Sequence, residues 1–381
     1  MFRHTQAKTL CKVFIFFLIV SIIIFISQSS KSAFSNTSLQ PSVKINSYDE
    51  YYNAVKKAML SYDSSLTLRI SHYDKNVYNL DSFKKVLKDN PELQGVCTEA
   101  KISVQPSIPF KVKIDFKYSD SIETLKNKEK AVQQKVQEIV GKVIKADMKD
   151  YEKEVVLHDY LVNNTKYDKR FFTKNMPNDS NTAYGVLING IGACQGYSEA
   201  MYMLLKAVGI ESTVISGDAN DGKSWVAHAW NIVKIGGQYY HLDTTWDDPV
   251  TEDGSNDSRY TYFNLTDDQI NKNHKWNKIE YPQCFSTTYN FQNLNIAEKD
   301  KNGNVIIPIK SYSDFYKSIK TSLANGDSVL SLRVLNYDAN VYDVASAVNK
   351  SYNSLSKGGS YSWTYYTDEL NNSEYITITF K

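Results

Sequence analysis

Three side chains in the middle of the sequence are of the types that together transfer acyl groups. Cys194 lies in GACQGYSEAMYMLLKAVGI (192–210), and His228 and Asp243 lie in SWVAHAWNIVKIGGQYYHLDTTWDDP (224–249). Cys194 follows the small residues Gly190 and Gly192. After it, Ala200, Met201, Met203, Leu204, Leu205 and Val208 fall on nearly every side of a helix, the pattern of a core helix. A thiol in the first turn of such a helix meets the positive end of the helix dipole and unpaired backbone N–H groups, both of which favour thiolate. The same N–H groups, that of Cys194 among them, can hold the oxyanion formed when a thiolate attacks an acyl carbon. A free cysteine is also a common small core residue, so the thiol alone does not decide the chemistry.

The downstream segment supplies the rest. Two alternating stretches flank Gly236-Gly237, a two-residue hairpin signal. In that register Trp230 faces Asp243 and His228 faces Thr245. His228 and Asp243 then share one face as diagonal neighbours, roughly 7–8 Å apart at the backbone, a span their side chains close. A base for the thiol proton and a carboxylate that fixes its tautomer complete the set that cysteine acyl chemistry needs.

The elements that must position these groups are legible as patterns. Residues 121–164 read as helix, a charged stretch over 122–143 followed by KDYEKEVVLHDYLVNN, and KYDKRFFTKNMPNDSNT reads as a long loop. On either side stand two similar segments. Residues 47–80 align without a gap on 311–344 with fourteen of 34 positions identical, among them Arg69/Arg333, Tyr73/Tyr337 and Tyr78/Tyr342. Each opens on a helix start, Ser47-x-x-Glu50 and Ser311-x-x-Asp314, and continues into alternating strands, LTLRI and LSLRV. The expected organisation is a segment 1–32, a small α+β module over 42–119, a catalytic domain over 121–295 and a second α+β module over 305–381. The modules read as packing or spacer units, or as binders of a surface polymer through the repeated Tyr and Arg.

The quoted pieces GIGACQGYSEA, HAWNIV and GGQYYHLDTTWDDP, with HDYLVNNTKYD upstream, resemble the transglutaminase-like superfamily, a circularly rearranged relative of papain. The resemblance covers roughly 150–250. It implies an α+β class with a papain-like, transglutaminase-like core, here flanked by the two repeated modules. It also implies Cys194 as nucleophile, His228 as general base and Asp243 as third member. Tyr184 and Trp225 stand at positions that often line the site in such proteins, and Gln195 and Trp230 are further lining candidates. His158 and Asp159 face the core in the family pattern, where packing is their expected role. His241 is expected at the rim or in packing. Asp247 and Asp248 are expected to end the strand and shape a turn with Pro249, or to position an amine. No cofactor and no metal is implied, and DANDG (218–222) reads as a turn rather than a calcium loop.

Composition bounds the remaining choices. With 42% apolar and 23% charged residues, the chain belongs with soluble globular proteins rather than disordered or fibrous ones. A formal charge of +2, without a basic or acidic block, excludes nucleic acid as an expected partner. MFRHTQAKTLCK followed by the apolar run VFIFFLIVSIIIFIS and the polar QSSKSAFSN reads as an export signal. The run is shorter than the roughly 20 residues a spanning helix needs; cleavage near Ser32 and retention as a signal-anchor both stay open. Removing 1–32 takes away four positive charges and no negative ones, leaving the remainder near −2.

The protein is therefore expected to be secreted or to stand at the extracellular face, touching membrane only through that segment if it is retained. Of the four cysteines Cys11 lies in the signal, and Cys97 and Cys284 read as idle buried thiols with a disulfide between them left open. The predicted function is a cysteine acyl-transfer enzyme, peptidase, deamidase or transglutaminase, acting on proteins or peptides such as those of the cell wall or surface. The alternative is a binding or adhesion protein that uses the same fold without catalysis.

Overall fold

The structure is a computed structural model that describes residues 42–173, 175–248, 260–294, 298–299 and 303–381. The export signal at 1–32 and Pro249 lie outside the described residues.

The first segment runs β1 (Val43–Ile45), α1 (Tyr48–Leu60), β2 (Ser65–Ile70), α2 (Asp81–Asp89), β3 (Cys97–Gln105) and β4 (Phe110–Tyr118). The start of α1 is set as its sequence suggests. Ser47 Oγ accepts from Glu50 N at 3.2 Å, and the Glu50 carboxylate reaches back one residue further, to Asn46 N at 2.7 Å. Tyr51, Val55 and Met59 on one side of α1 bury against Leu68, Ile70, Val112 and Ile114 of the sheet, which has the order β1-β2-β4-β3. β1 and β2 are parallel and the other pairs antiparallel.

The middle segment carries the helices that build the site. After α3 (Ile122–Val143) and α4 (Asp150–Asn164), the chain forms β5 (Lys166–Tyr167), two short 3₁₀ turns, α5 (Ala183–Leu187), β6 (Ile191–Gly192) and α6 (Cys194–Ala207). The stretch read as a long loop is therefore tied down: β5 pairs in parallel with β6, and Asp168 is clasped by Arg170 at 2.8 Å and by the Ser180 hydroxyl at 2.6 Å. β7 (Ser212–Asn220), β8 (Trp225–Ile235) and β9 (Gln238–Leu242) form a meander. The DANDG stretch extends β7 as far as Asn220, and the turn falls at Asp221–Ser224, where Asp221 Oδ1 accepts from Lys223 N and Ser224 N.

Gly236 and Gly237, with φ of 57° and 79°, make the β8–β9 turn, which needs positive φ at both central residues. Pairing of Asn231 with Leu242 and Ile235 with Gln238 is the register expected from the sequence. β8 is buried on both faces from Ala229 to Val233 rather than alternating, because α6 covers one face and the segment 260–294 the other. That later segment adds α7 (Asp267–Ile270) and β10 (His274–Lys275), which pairs with the edge of β7 to give the order β10-β7-β8-β9.

The last segment comprises β11 (Glu298–Lys299), β12 (Val305–Ile309), α8 (Tyr312–Asn325), β13 (Val329–Leu335), α9 (Val344–Leu355), β14 (Tyr361–Asp368) and β15 (Ser373–Phe380). Apart from β11, its strand order β12-β13-β15-β14 and strand directions match those of the first segment. In both sheets the shared tyrosines pack inward: Tyr78 lies edge-on to Tyr51 at 5.4 Å, and Tyr342 edge-on to Phe315 at 5.5 Å. Arg333 is buried in an ion pair with Glu298 at 3.2 Å.

Both outer segments are fastened to the middle one, the first through Lys88–Glu280 at 2.9 Å and Asn178 Nδ2 to Gly95 O at 2.8 Å, the last through Asn371 Nδ2 to Thr261 O at 2.9 Å. Cys97 and Cys284 are free and buried in separate cores. Among the described residues no helix is long and apolar enough to cross a membrane.

Candidate active site

Cys194 is the first residue of α6. The helix start carries no side-chain cap, since Ala193 offers only a methyl group, so its first-turn N–H groups remain available to a ligand. Backbone and side-chain bonds hold the approach to the thiol in place. Ala193 N donates to Ser180 O at 2.7 Å and Asp168 N to Gly192 O at 2.8 Å. Gly196 is required by this closeness: a Cβ there would stand 2.7 Å from the Ser180 carbonyl oxygen.

His228, on β8, reaches the thiol from the sheet. The Cys194 sulfur and the His228 ring are hydrogen-bonded, and the Ala229 N–H also donates to the sulfur. His228 Nε2 lies 2.7 Å from Asp243 Oδ2, which leaves Nδ1 for the sulfur. Asp243 follows the last residue of β9 and is fully buried. Its Oδ1 accepts from Thr245 N at 3.1 Å and Trp246 N at 3.2 Å, and its Oδ2 takes a second histidine, His274 Nε2, at 3.1 Å. Because a carboxylate oxygen only accepts, both rings carry their proton on the nitrogen that faces Asp243.

These contacts set the charges. Burial by itself would push the Cys194 thiol up, but the hydrogen bond and charge of His228 and the Ala229 N–H outweigh it, and the thiol lies below its ordinary range. Burial works against the charged His228, yet Asp243 and the sulfur raise it to about 10. Asp243, despite burial, is held far below the carboxylate range by His228 and His274. Burial keeps His274 below its ordinary value, so it is neutral at physiological pH. These shifts all favour a thiolate–imidazolium pair on a fixed carboxylate.

Aromatic rings enclose it. Trp230 stacks on His228 at 6.0 Å and 20°, and Trp246 lies 5.4 Å from the same ring. Tyr167 is held above the phenol range first by burial and then by the charges of Cys194, Asp168 and Asp243, and its strand pairs it with Gly192, two residues before the thiol. Phe171 and Phe172 pack around Tyr167 at 6.3 and 6.1 Å and are themselves exposed.

The structure brings Cys194, His228 and Asp243 together. Of the lining candidates, Trp230 lies wholly buried beneath the histidine rather than open to a ligand. Trp225 is exposed at the start of β8 with Lys275 Nζ 3.6 Å above its ring. Gln195 is half-buried beside the nucleophile, and its Nε2 has no hydrogen-bond partner. Tyr184 is not at the thiol: Lys128 lies 5.4 Å over its ring, and it lines a cavity against α3 and the first segment.

The remaining polar candidates are buried and paired. His158 Nε2 is 3.0 Å from Asp247 Oδ2, Asp247 Oδ1 accepts from Tyr262 N at 2.7 Å, and Asp248 accepts from the Tyr197 hydroxyl at 2.5 Å. The two aspartates are interior acceptors, and they also stand in the turn that follows β9, where Asp247 N donates to Asp243 O at 3.1 Å and Asp248 N to Thr245 O at 3.3 Å. His241, expected at a rim or in packing, is fully buried; it accepts from Trp230 Nε1 at 3.0 Å and donates from Nε2 to Asp267 at 2.8 Å.

Among the described residues, two sets of side chains bring ligand atoms within 4.8 Å of one another, His228/Asp243/His274 and His241/Asp267/Cys284. In each, the histidine Nε2 atoms already donate to the aspartate, the chemistry of a proton relay or a packed network. His274, Trp246 and Tyr167 are absent from the sequence expectations. The HLDTTW run places Trp246 three residues after Asp243 and HDYLVNNTKYD carries Tyr167, while nothing local marks His274.

Residues 137–244 match the transglutaminase-like superfamily. Among curated proteins no match is found. Among solved structures, a TGase is 14% identical, covering 54% of this chain and 59% of its own, with a TM-score of 0.27. An arylamine N-acetyltransferase from Bacillus cereus is also 14% identical, covering 30% and 49%, with a TM-score of 0.25. The chain thus spans about half to three-fifths of the length of these structures. The superfamily match supports a cysteine-dependent acyl-transfer kind of enzyme. Cys194, His228 and Asp243 all lie within the span of this chain, 137–244, that is similar to the transglutaminase-like superfamily.

Proposed function

We propose that the protein is an exported cysteine enzyme that cleaves amide bonds of peptides or of glutamine side chains through a thioester. The observation that carries this reading is the bonded series Cys194–His228–Asp243 at an uncapped helix start. The Cys194 thiolate attacks the amide carbon, and the oxyanion lies against the first-turn N–H groups of α6. Collapse breaks the carbon–nitrogen bond, and His228 gives its proton to the departing amine, leaving a thioester. Water or a second amine then attacks, His228 takes up the proton released, and the acyl group leaves on oxygen or nitrogen as the thiolate is restored. Water makes the enzyme a peptidase or deamidase; an amine makes it a cross-linker.

The apolar run before residue 32 supports action outside the membrane on surface or wall peptides. The exposed rings of Phe171 and Phe172 near Tyr167 support an apolar residue of the substrate beside the thiol. The test is alkylation of Cys194 against pH, with His228→Ala and Cys194→Ala, followed by release of ammonia or incorporation of hydroxylamine on glutamine-containing peptides. A reactive thiol at pH 6 that the histidine variant loses supports the reading. An inert thiol, unchanged by removal of His228, overturns it.

A further inference from the structure

A cavity of about 330 Å³ opens between the first segment and helices α3 and α6. None of Cys194, His228 and Asp243 lines it. Its wall holds Glu199, which follows Cys194 by five residues on α6 and is only 4% exposed. One oxygen of Glu199 is met by the Ala183 N–H, while Oε2 has no partner. A buried carboxylate oxygen left unpaired is costly, and native chains seldom keep one without a use. From the first segment Glu92 lines the same space, and its Oε2 is likewise buried without a partner.

The lysines that line the cavity do not answer these oxygens. Lys128 is bound by Asp120 at 3.0 Å and by Asp179 at 2.5 Å. Lys206 stands 3.6 Å from the other oxygen of Glu92. Glu129 is engaged by Gln133 at 3.1 Å and by the Tyr62 hydroxyl. The wall therefore carries five acids against two lysines, and the rest of it is largely aliphatic, with Leu93, Val96 and Met203 among it. Among the described residues, groups that gather three ligand atoms at metal distance lie elsewhere, so the acids here do not converge as a metal site requires. A charge carried on an alkyl chain suits the space.

We infer that this cavity binds a short aliphatic amine, its ammonium group received by Glu199 Oε2 with Glu92 facing it, and its chain lying along Leu93, Val96 and Met203. The site is separate from the thiol and does not rest on the acyl-transfer reading. Burial first, and the neighbouring charge of Glu92, push the Glu199 carboxyl up to about 8. At pH 7 the empty site holds a proton there, and an arriving ammonium expels it.

The experiment is calorimetric titration of the full chain carrying Cys194→Ala with n-pentylamine, in buffers of different ionisation enthalpy, beside 1-pentanol as the neutral probe. The expected result is amine binding at pH 7 with release of close to one proton, tenfold or more weaker in Glu199→Gln and weaker in Glu92→Gln, and no comparable binding of the alcohol. Glu92 is partly exposed and sits on another element, so its variant and the proton count carry the test if Glu199→Gln does not fold. Equal binding of amine and alcohol, amine binding that neither variant alters, or no binding at millimolar amine overturns the inference. Each of these leaves the reaction at Cys194 untouched.

Discussion

His228 and His274 meet on one oxygen: their Nε2 atoms lie 2.7 and 3.1 Å from Asp243 Oδ2. One ring is a cation and the other neutral, because only His228 also faces the thiolate while burial dominates at His274. The neutral ring holds the carboxylate in place for the charged one. His274→Phe keeps an aromatic volume but removes the donor to a buried charge, a bond worth about 1.5–3 kcal/mol. Urea unfolding is expected to show a loss in that range, and amide turnover to fall about tenfold, with His274→Gln recovering part of both.

Asp243→Asn removes the charge that raises His228. The imidazolium then loses its main support and the thiol rises toward its ordinary value of about 8.5. Alkylation at pH 6 is expected to slow sharply, and turnover to drop by about a thousandfold or more, with the fold retained by circular dichroism. A variant that alkylates as fast as wild type would remove Asp243 from the charge balance.

The pH dependence follows from the same pair. Cys194 is lowered and His228 is raised to about 10, both in the direction that favours the ion pair near neutral pH. Turnover is expected to be level across neutrality and to fall on the alkaline side as His228 loses its proton. For stability the sign is that of a raised base. The contribution of His228 is whole below its unfolded value of about 6.5, and it is lost as pH rises through about 10. Urea midpoints measured from pH 6 to pH 10 in wild type and His228→Gln should converge with rising pH.

Gly217 pairs with His228 across β7 and β8. A Cβ there would collide with the Lys275 carbonyl and would approach Trp230 Cη2 to 2.8 Å. Gly217→Ala is expected to cost about 1–3 kcal/mol and to displace β10, the strand that carries His274. Thermal unfolding and the turnover of the variant, compared with His274→Phe, check whether both lose activity together.

Much of the site was legible because it is local in sequence. The Gly236-Gly237 turn sets a two-residue hairpin whose ladder runs as far as Asn231–Leu242, which carries Asp243 to the strand that holds His228. His274 escaped because it depends on β10, a two-residue strand that pairs with Ala219 more than fifty positions upstream. No periodicity marks so short an element. Tyr167 escaped for the same reason, its position being fixed by the brief pairing of β5 with β6. Trp230 is a lining candidate from sequence, but a strand covered on both faces turns every side chain inward, and the ring lies buried beneath His228.

The likeness of the two outer sheets has a consequence for how the chain reaches its native state. LTLRI in β2 and LSLRV in β13 each pair with a parallel strand, β1 and β12, and apart from β11 each has a sheet of the same order to join. During refolding either strand presents nearly the same pattern of hydrogen bonds and apolar faces to the wrong half, the situation in which similar modules of one chain misassemble. The catalytic segment stands between them as a long spacer. Its length dilutes one copy in the presence of the other, since the effective concentration of tethered partners falls as the connecting chain grows.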